Sequence, residues 1–222
     1  YKDKLFNEKN AFFAEANMFD FFNVPILKGD VHKGLLEPYT VMMTEGMAKK
    51  YFGDADPVNK TIRLNNNKHE FKITGIYKAF PANSHLHPEI LMSLNTLKDT
   101  AIYGEKLLQT KYNLNAFYTY LLFPKNYNVA GIERLLPGFL DKYIHLNGIP
   151  ANIKTHQATK LTFQKLTDIH LHSHLDSEIE ENGDIKQVYI FSAIALFILL
   201  IACINYMNLS TARSILRAKE IG

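Results

Sequence analysis

VYIFSAIALFILLIACI, residues 188–204, carries no charged side chain, and its only hydroxyl besides that of Tyr189 belongs to Ser192. Continued through Asn205, Tyr206 and Met207, the run reaches ~20 residues. At ~1.5 Å rise per residue, a helix of that length crosses the ~30 Å hydrocarbon layer of a bilayer. A helix buried in a soluble core would keep a polar stripe, and none interrupts 188–204. The stretch predicts a transmembrane helix over about 187–212, which divides the chain into a large part before it and a short part after it.

Flanking charge orients the helix. Arg213, Arg217 and Lys219 follow it, whereas DSEIEENGDIK, residues 176–186, precedes it with many carboxylates and one lysine. By the positive-inside tendency the C-terminal end faces the cytoplasm and residues 1–187 are extracytoplasmic. Asn205, Asn208, Ser210 and Thr211, near the inner end, can hydrogen-bond a neighbouring helix or interfacial water.

The 222 residues are 47% apolar, enough for one large or two small cores. The formal charge of +3 owes much to the cluster behind the apolar run, so the large N-terminal part is nearly neutral. It shows no basic stripe interleaved with aromatics, which excludes nucleic acid as a partner. Cys203 is the only cysteine and lies inside the apolar run, so no intrachain disulfide forms. The chain opens on Tyr1 without a signal pattern and reads as a fragment of something longer.

Local patterns then divide the extracytoplasmic part. NMFDFFNVPILKGD is aromatic-rich and stopped by Pro25 and the Lys28-Gly29-Asp30 turn. PYTVMM predicts a buried strand ending at Thr44, which N-caps a helix over EGMAKKYFG. Glu45 lies at that helix's positive end, Lys49 and Lys50 at its negative end, and Gly53 stops it. Met47, Ala48 and Tyr51 fall at helical spacing and predict core contact. TIRL and EFKITGIY flank Asn65-Asn66-Asn67 and predict a hairpin, with a bulge at Gly75. The loop AFPANSHLHPE brings in His85 and His87.

A second pattern starts at FYTYLLF, residues 117–123, expected as a strand covered on at least one face. Val129, Ile132, Leu135, Leu136, Phe139, Leu140, Tyr143 and Ile144 recur at three- and four-residue steps, predicting an amphipathic helix bent at Pro137-Gly138. KLTFQKL and DIHLHSHLD, residues 160–166 and 168–176, are expected as strands. The order predicts a layered α+β fold.

DIHLHSHLD raises the one metal question. With period two, Asp168, His170, His172, His174 and Asp176 share one face, and Ile169, Leu171, Ser173 and Leu175 the other. That is the pattern of a half-buried strand with a histidine-bearing wet side. His170 and His174 would stand ~13 Å apart, too far for one zinc with ~2 Å bonds. A two-histidine site would need more donors, from Asp168, Asp176, His156 or the His85/His87 pair. No metal or other cofactor is therefore assigned, with His170, His172 and His174 the only metal candidates. No GxSxG, P-loop or HExxH pattern occurs, so no catalytic residue is assigned and the chain reads as non-catalytic.

MTEGMAKKYFGDADPVNKTIRL, EFKITGIYKAFPANSHL, and LTDIHLHSHLDSEIEENGD leading into VYIFSAIALFILLIACINYMNLSTARSILRAKEIG together resemble the MacB/FtsX-like permease subunits of ABC transporters, particularly the type found in Bacteroidetes. The resemblance covers nearly the whole chain. It departs at Pro57-Val58-Asn59-Lys60, where the family usually has Pro-x-Gly-Lys; Asn best replaces Gly at positive φ, so the turn is expected to persist.

The resemblance implies a two-lobed α+β periplasmic core domain: an α+β lobe from 1–40 and 111–186, a β-rich insertion from 41–110, then the transmembrane helix over 187–212 and the start of a cytoplasmic coupling segment at 213–222. It implies a homodimer in the inner membrane, contact with lipid, and a separate cytoplasmic ATPase subunit that Arg213, Arg217, Lys219 and Glu220 help couple, with room for a periplasmic or outer-membrane partner. It also implies that ATP-driven helix motion is transmitted outward for export or efflux. Topology anchoring alone would equally explain Arg213, Arg217 and Lys219. The alternative function is a membrane-anchored extracytoplasmic sensor or ligand- or metal-binding domain.

Overall fold

In the computed structural model, residues 6–64, 68–112, 116–146, 148, 150 and 152–221 are described, the side chains of 215–221 excepted. The chain forms two compact units, Tyr1–Phe163 and Gln164–Gly222.

The first unit is built on a six-stranded sheet. Its elements are β1 (Ala11–Ala14), α1 (Met18–Phe22), β2 (Ile26–Lys28), β3 (Thr40–Thr44), α2 (Glu45–Phe52), β4 (Thr61–Leu64), β5 (His69–Tyr77) and β6 (Ile90–Ser93). The order is β1-β6-β3-β5-β2, with β4 also paired to β5. β3 is central, parallel to β5 and antiparallel to β6, and all five of its residues are buried. A strand enclosed on both sides and both faces reads as an apolar run, Val41-Met42-Met43, rather than as an alternation.

α2 covers one face of this sheet. Val41, Met43, Ile73, Ile76, Ile90 and Met92 pack there with Met47, Ala48, Tyr51 and Phe52. Each large side chain buried this way contributes roughly 1.5–3 kcal/mol. The expected caps are in place: the Met47 N–H donates to Thr44 Oγ1 at 3.3 Å, and Gly53 ends the helix at φ 62°. Glu8 ties the chain ahead of β1 to the same helix, accepting from Lys50 Nζ at 2.8 Å and from Tyr51 Oη at 2.9 Å. Burial first, and the Glu8 carboxylate second, push the Tyr51 hydroxyl far up from its ordinary value. Met42 and Leu91 alternate to the other face, where Phe19 of α1 packs its ring 5.1 Å from that of Tyr77.

The β4–β5 hairpin is antiparallel, with Leu64 opposite His69, and its predicted Asn65-Asn66-Asn67 turn lies outside the described residues. The β3–β5 register slips between Val41 and Met42, skipping Thr74 just before Gly75. Gly75 is required by close approach: a Cβ there would stand 2.5 Å from Met42 Cε and 2.7 Å from the Lys28 carbonyl oxygen. Asn59 adopts φ 67°, and the turn closes with Lys60 N–H to Pro57 O at 3.0 Å. The turn expected to survive the Gly-to-Asn departure is present.

The sheet draws strands from both 1–40 and 41–110. β1 and β2 are strands of the same sheet as β3–β6, β1 lying parallel to β6 and β2 antiparallel to β5. Parallel partners are joined by long crossovers, here from residue 14 to residue 90, so local patterning cannot reveal the pairing.

The remainder of the first unit holds short helices joined by irregular segments: α3 (Glu105–Thr110), α4 (Val129–Glu133), α5 (Leu136–Tyr143) and α6 (Thr155–Ala158). FYTYLLF, expected as a strand, forms no strand among the described residues, and Leu122 is 81% exposed. KLTFQKL likewise forms no strand; the Phe163 N–H donates to Glu133 Oε1 at 3.1 Å instead. An apolar run signals a need for cover, not the element that meets it. The amphipathic helix breaks at Arg134-Leu135, ahead of the expected bend at Pro137-Gly138, because Pro137 fits the first turn of α5 where no N–H is needed.

The second unit holds a 3₁₀ turn at Leu166–Asp168, α7 (Ile169–His172) and α8 (Ile185–Ile221). α8 runs 37 residues, and Ile185–Ser214 within it is long and apolar enough to span a membrane, with none of its most apolar window buried.

Candidate functional site in the second unit

DIHLHSHLD is not a strand. Asp168 N–H donates to Lys165 O at 3.0 Å and Ser173 N–H to Ile169 O at 3.3 Å, so the segment coils into the 3₁₀ turn and α7. With ~100° per residue, His170 and His172 point ~200° apart around α7, and His174 lies beyond its end, so the shared histidine face is lost. The other face is split, covered at Ser173 and open at Leu175. Ser173, expected on the apolar side, is 3% exposed; its hydroxyl bonds Glu178 and reaches Gln164 Oε1 at 3.3 Å. Leu175, expected beside it, is 67% exposed.

A carboxylate organises this segment. Besides Ser173, Glu178 accepts the Leu175 N–H at 3.2 Å, and the Gly183 N–H closes the loop on His170 O at 2.8 Å. The loop then enters α8 through Asp184, whose Oδ1 accepts the Lys186 N–H at 2.8 Å. This is the N-terminal capping that a helix needs where its first N–H groups lack partners.

Among the described residues no group of three or more His, Cys, Asp or Glu side chains is placed to hold a metal ion. Of the other donors considered, the three histidines are engaged elsewhere. His156 Nδ1 stands 2.8 Å from Asp141 Oδ2 and its N–H donates to Oδ1 at 3.0 Å, joining α6 to α5. That backbone N–H, with the ring beside it, holds the Asp141 carboxyl below the usual carboxylate range. His85 Nε2 lies 2.7 Å from Tyr120 Oη, and His87 Nε2 lies 3.0 Å from Pro81 O.

Arg213 lies near the end of α8. The side chains of Arg217, Lys219 and Glu220, the other coupling candidates, lie outside the described residues, although the backbone of α8 continues through them. Cys203 is exposed on the same helix. At ~1.5 Å per residue α8 is roughly 55 Å long, well beyond the ~30 Å apolar layer, so it reaches past both faces of a bilayer it crosses.

Solved structures that resemble the chain include these two. One is a domain of a protein provisionally named a permease from Porphyromonas gingivalis, at 17% identity and TM-score 0.45, covering 60% of this chain and 58% of that one. The other is the periplasmic region of MacB from Actinobacillus actinomycetemcomitans, at 15% identity and TM-score 0.36, covering 57% of this chain and 53% of that one. The chain thus spans little more than half the length of either. None of the curated proteins matches it. Family membership rests on a direct match to residues 2–135, more than half of the sequence and all of the sheet. The chain belongs to the MacB-like periplasmic core domain family.

Proposed function

We propose that the chain is part of an ABC transporter permease subunit, with 1–187 outside the inner membrane, the spanning helix at 187–212 and residues 213–222 starting a cytoplasmic coupling segment. The observation that carries this reading is the continuity of α8: a MacB-like domain is followed in the same chain by a 37-residue helix with a 30-residue apolar stretch. A helix of that length moves as a rod. Motion imposed at one end reaches the other without any bond being made or broken.

In this reading ATP is hydrolysed by a separate cytoplasmic subunit that meets the Arg213–Glu220 region, two permease copies act together, and the outer domain moves to drive export or efflux. Asp184 is the joint between outer segment and rod, since it caps the first turn of α8. Inserting three glycines between Asp184 and Val188 tests the idea in the complete transporter. Transport should fall at least tenfold while ATP hydrolysis by the complex persists. Unchanged transport would contradict mechanical coupling through α8, and absence of any ATPase in the purified complex would favour a membrane-anchored sensor.

A further inference from the structure

An open depression of about 320 Å³ lies where β1 and β6 end. It is lined by residues 14–17 on leaving β1, by Leu94 and Asn95 on leaving β6, and by buried Leu35. β1 and β6 are parallel neighbours, with Ala14 opposite Ser93, so both strands present carboxyl ends to it. Crevices beyond the carboxyl ends of parallel strands are where open α/β sheets bind ligands, because the departing connections leave a gap there.

The walls are fixed. Ser93, fully buried, donates through Oγ to Leu35 O at 2.8 Å, and Asn95 Nδ2 donates to Leu36 O at 2.7 Å. These bonds pin the 35–36 backbone against the end of β6. Asn95 thereby uses one of its two N–H donors, and its amide oxygen stays an acceptor. Asn17 precedes α1 without capping it through its side chain, and no hydrogen bond or ion pair engages the Glu15 or Asn17 side chain among the described residues. The residues that line the depression thus include the apolar Leu35 and Leu94, one carboxylate residue and two side-chain amides.

From this we propose that the depression binds a primary ammonium group carried on a short apolar stem, the chemistry shared by a lysine side chain and a free alkylamine. The ammonium meets Glu15 with Asn17 and Asn95 as further acceptors, and the stem lies on Leu35 and Leu94. At the lower end of the ~300–1,000 Å³ range of ligand pockets, the volume suits a guest the size of a side chain. The site is independent of whether the chain serves a transporter.

The test is titration of the full chain, ¹⁵N-labelled in detergent micelles, with n-butylamine, n-butanol, butyrate and N-acetyl-lysine amide. Butylamine or the lysine amide should shift the backbone amides of Glu15, Asn17 and Asn95 with a dissociation constant on the order of 1 mM. E15Q should weaken this at least tenfold and leave the rest of the spectrum in place. Tighter binding of the lysine amide identifies a protein side chain as the source, and tighter binding of butylamine a free amine; either supports the site. Equal binding of butanol, binding unchanged in E15Q, or no shift up to 50-fold excess over ~1 mM overturns it.

Discussion

Met42 and Gly75 lie so close across the β3–β5 slip that a Cβ at residue 75 would stand 2.5 Å from Met42 Cε. The same methionine also leaves no room at Gly34, where a Cβ would meet its Sδ at 2.3 Å. A side chain on the central strand is thus accommodated by two glycines on neighbouring segments.

Gly75→Ala should therefore destabilise the first unit by about 1–3 kcal/mol, the usual cost of forcing extra volume into a packed interior. Trimming Met42 as well should not restore stability, because the Lys28 carbonyl oxygen, a backbone atom, also stands 2.7 Å from the added Cβ. Thermal melts of both variants in detergent, followed by circular dichroism, check this. Full recovery in the double variant would show that Met42 alone sets the restriction.

Asn59 holds φ 67° in the turn that leads into β4. Asn59→Gly should be neutral or slightly stabilising, whereas Asn59→Val should cost about 1–2 kcal/mol, since a branched side chain resists left-handed backbone. Chemical denaturation of the pair gives the comparison directly, and equal stabilities would contradict the turn geometry.

Thr44 ends β3 and caps α2 in one residue. Thr44→Ala should cost about 1 kcal/mol and Thr44→Ser much less, because only the hydroxyl acts as the cap. Melting temperatures of the two variants separate capping from the loss of the threonine methyl.

Much of this was legible in the sequence because it is local. The cap at Thr44, the stop at Gly53 and the β4–β5 hairpin each depend on residues a few positions apart, where side-chain chemistry dictates backbone geometry; the positive φ of Asn59 was expected from the resemblance. The pairing of β1 with β6 was hidden because its partners are 79 positions apart, Ala14 facing Ser93 only after the chain has folded. DIHLHSHLD misled for another reason. Its alternation is compatible with a strand, but no neighbouring strand pairs with it among the described residues, and Glu178 instead gathers Ser173 and the Leu175 N–H into a coil. FYTYLLF shows the same limit: apolarity is readable, its partner is not.

Acid should loosen the α5–α6 corner. The Asp141 carboxyl is held below its unfolded value of about 3.9 by the His156 N–H and ring. A carboxyl with a lowered folded pKa stabilises the fold above its unfolded pKa and loses that contribution as pH falls through the folded value. Stability of the natural chain should thus decline from about pH 5 downward, and Asp141→Asn should flatten part of that decline. Parallel acid slopes for the two proteins would contradict the pairing.

The whole functional reading depends on α8 crossing a membrane with residues 1–187 outside it. Single cysteines at Glu181 and Ser214, on either side of the apolar stretch and in a Cys203→Ala background, can be labelled in intact spheroplasts with a membrane-impermeant maleimide. Position 181 should react at once, and position 214 only after the membrane is permeabilised. Immediate labelling of both positions, or of position 214 alone, would contradict the proposed topology and with it the coupling of a cytoplasmic ATPase to the outer sheet.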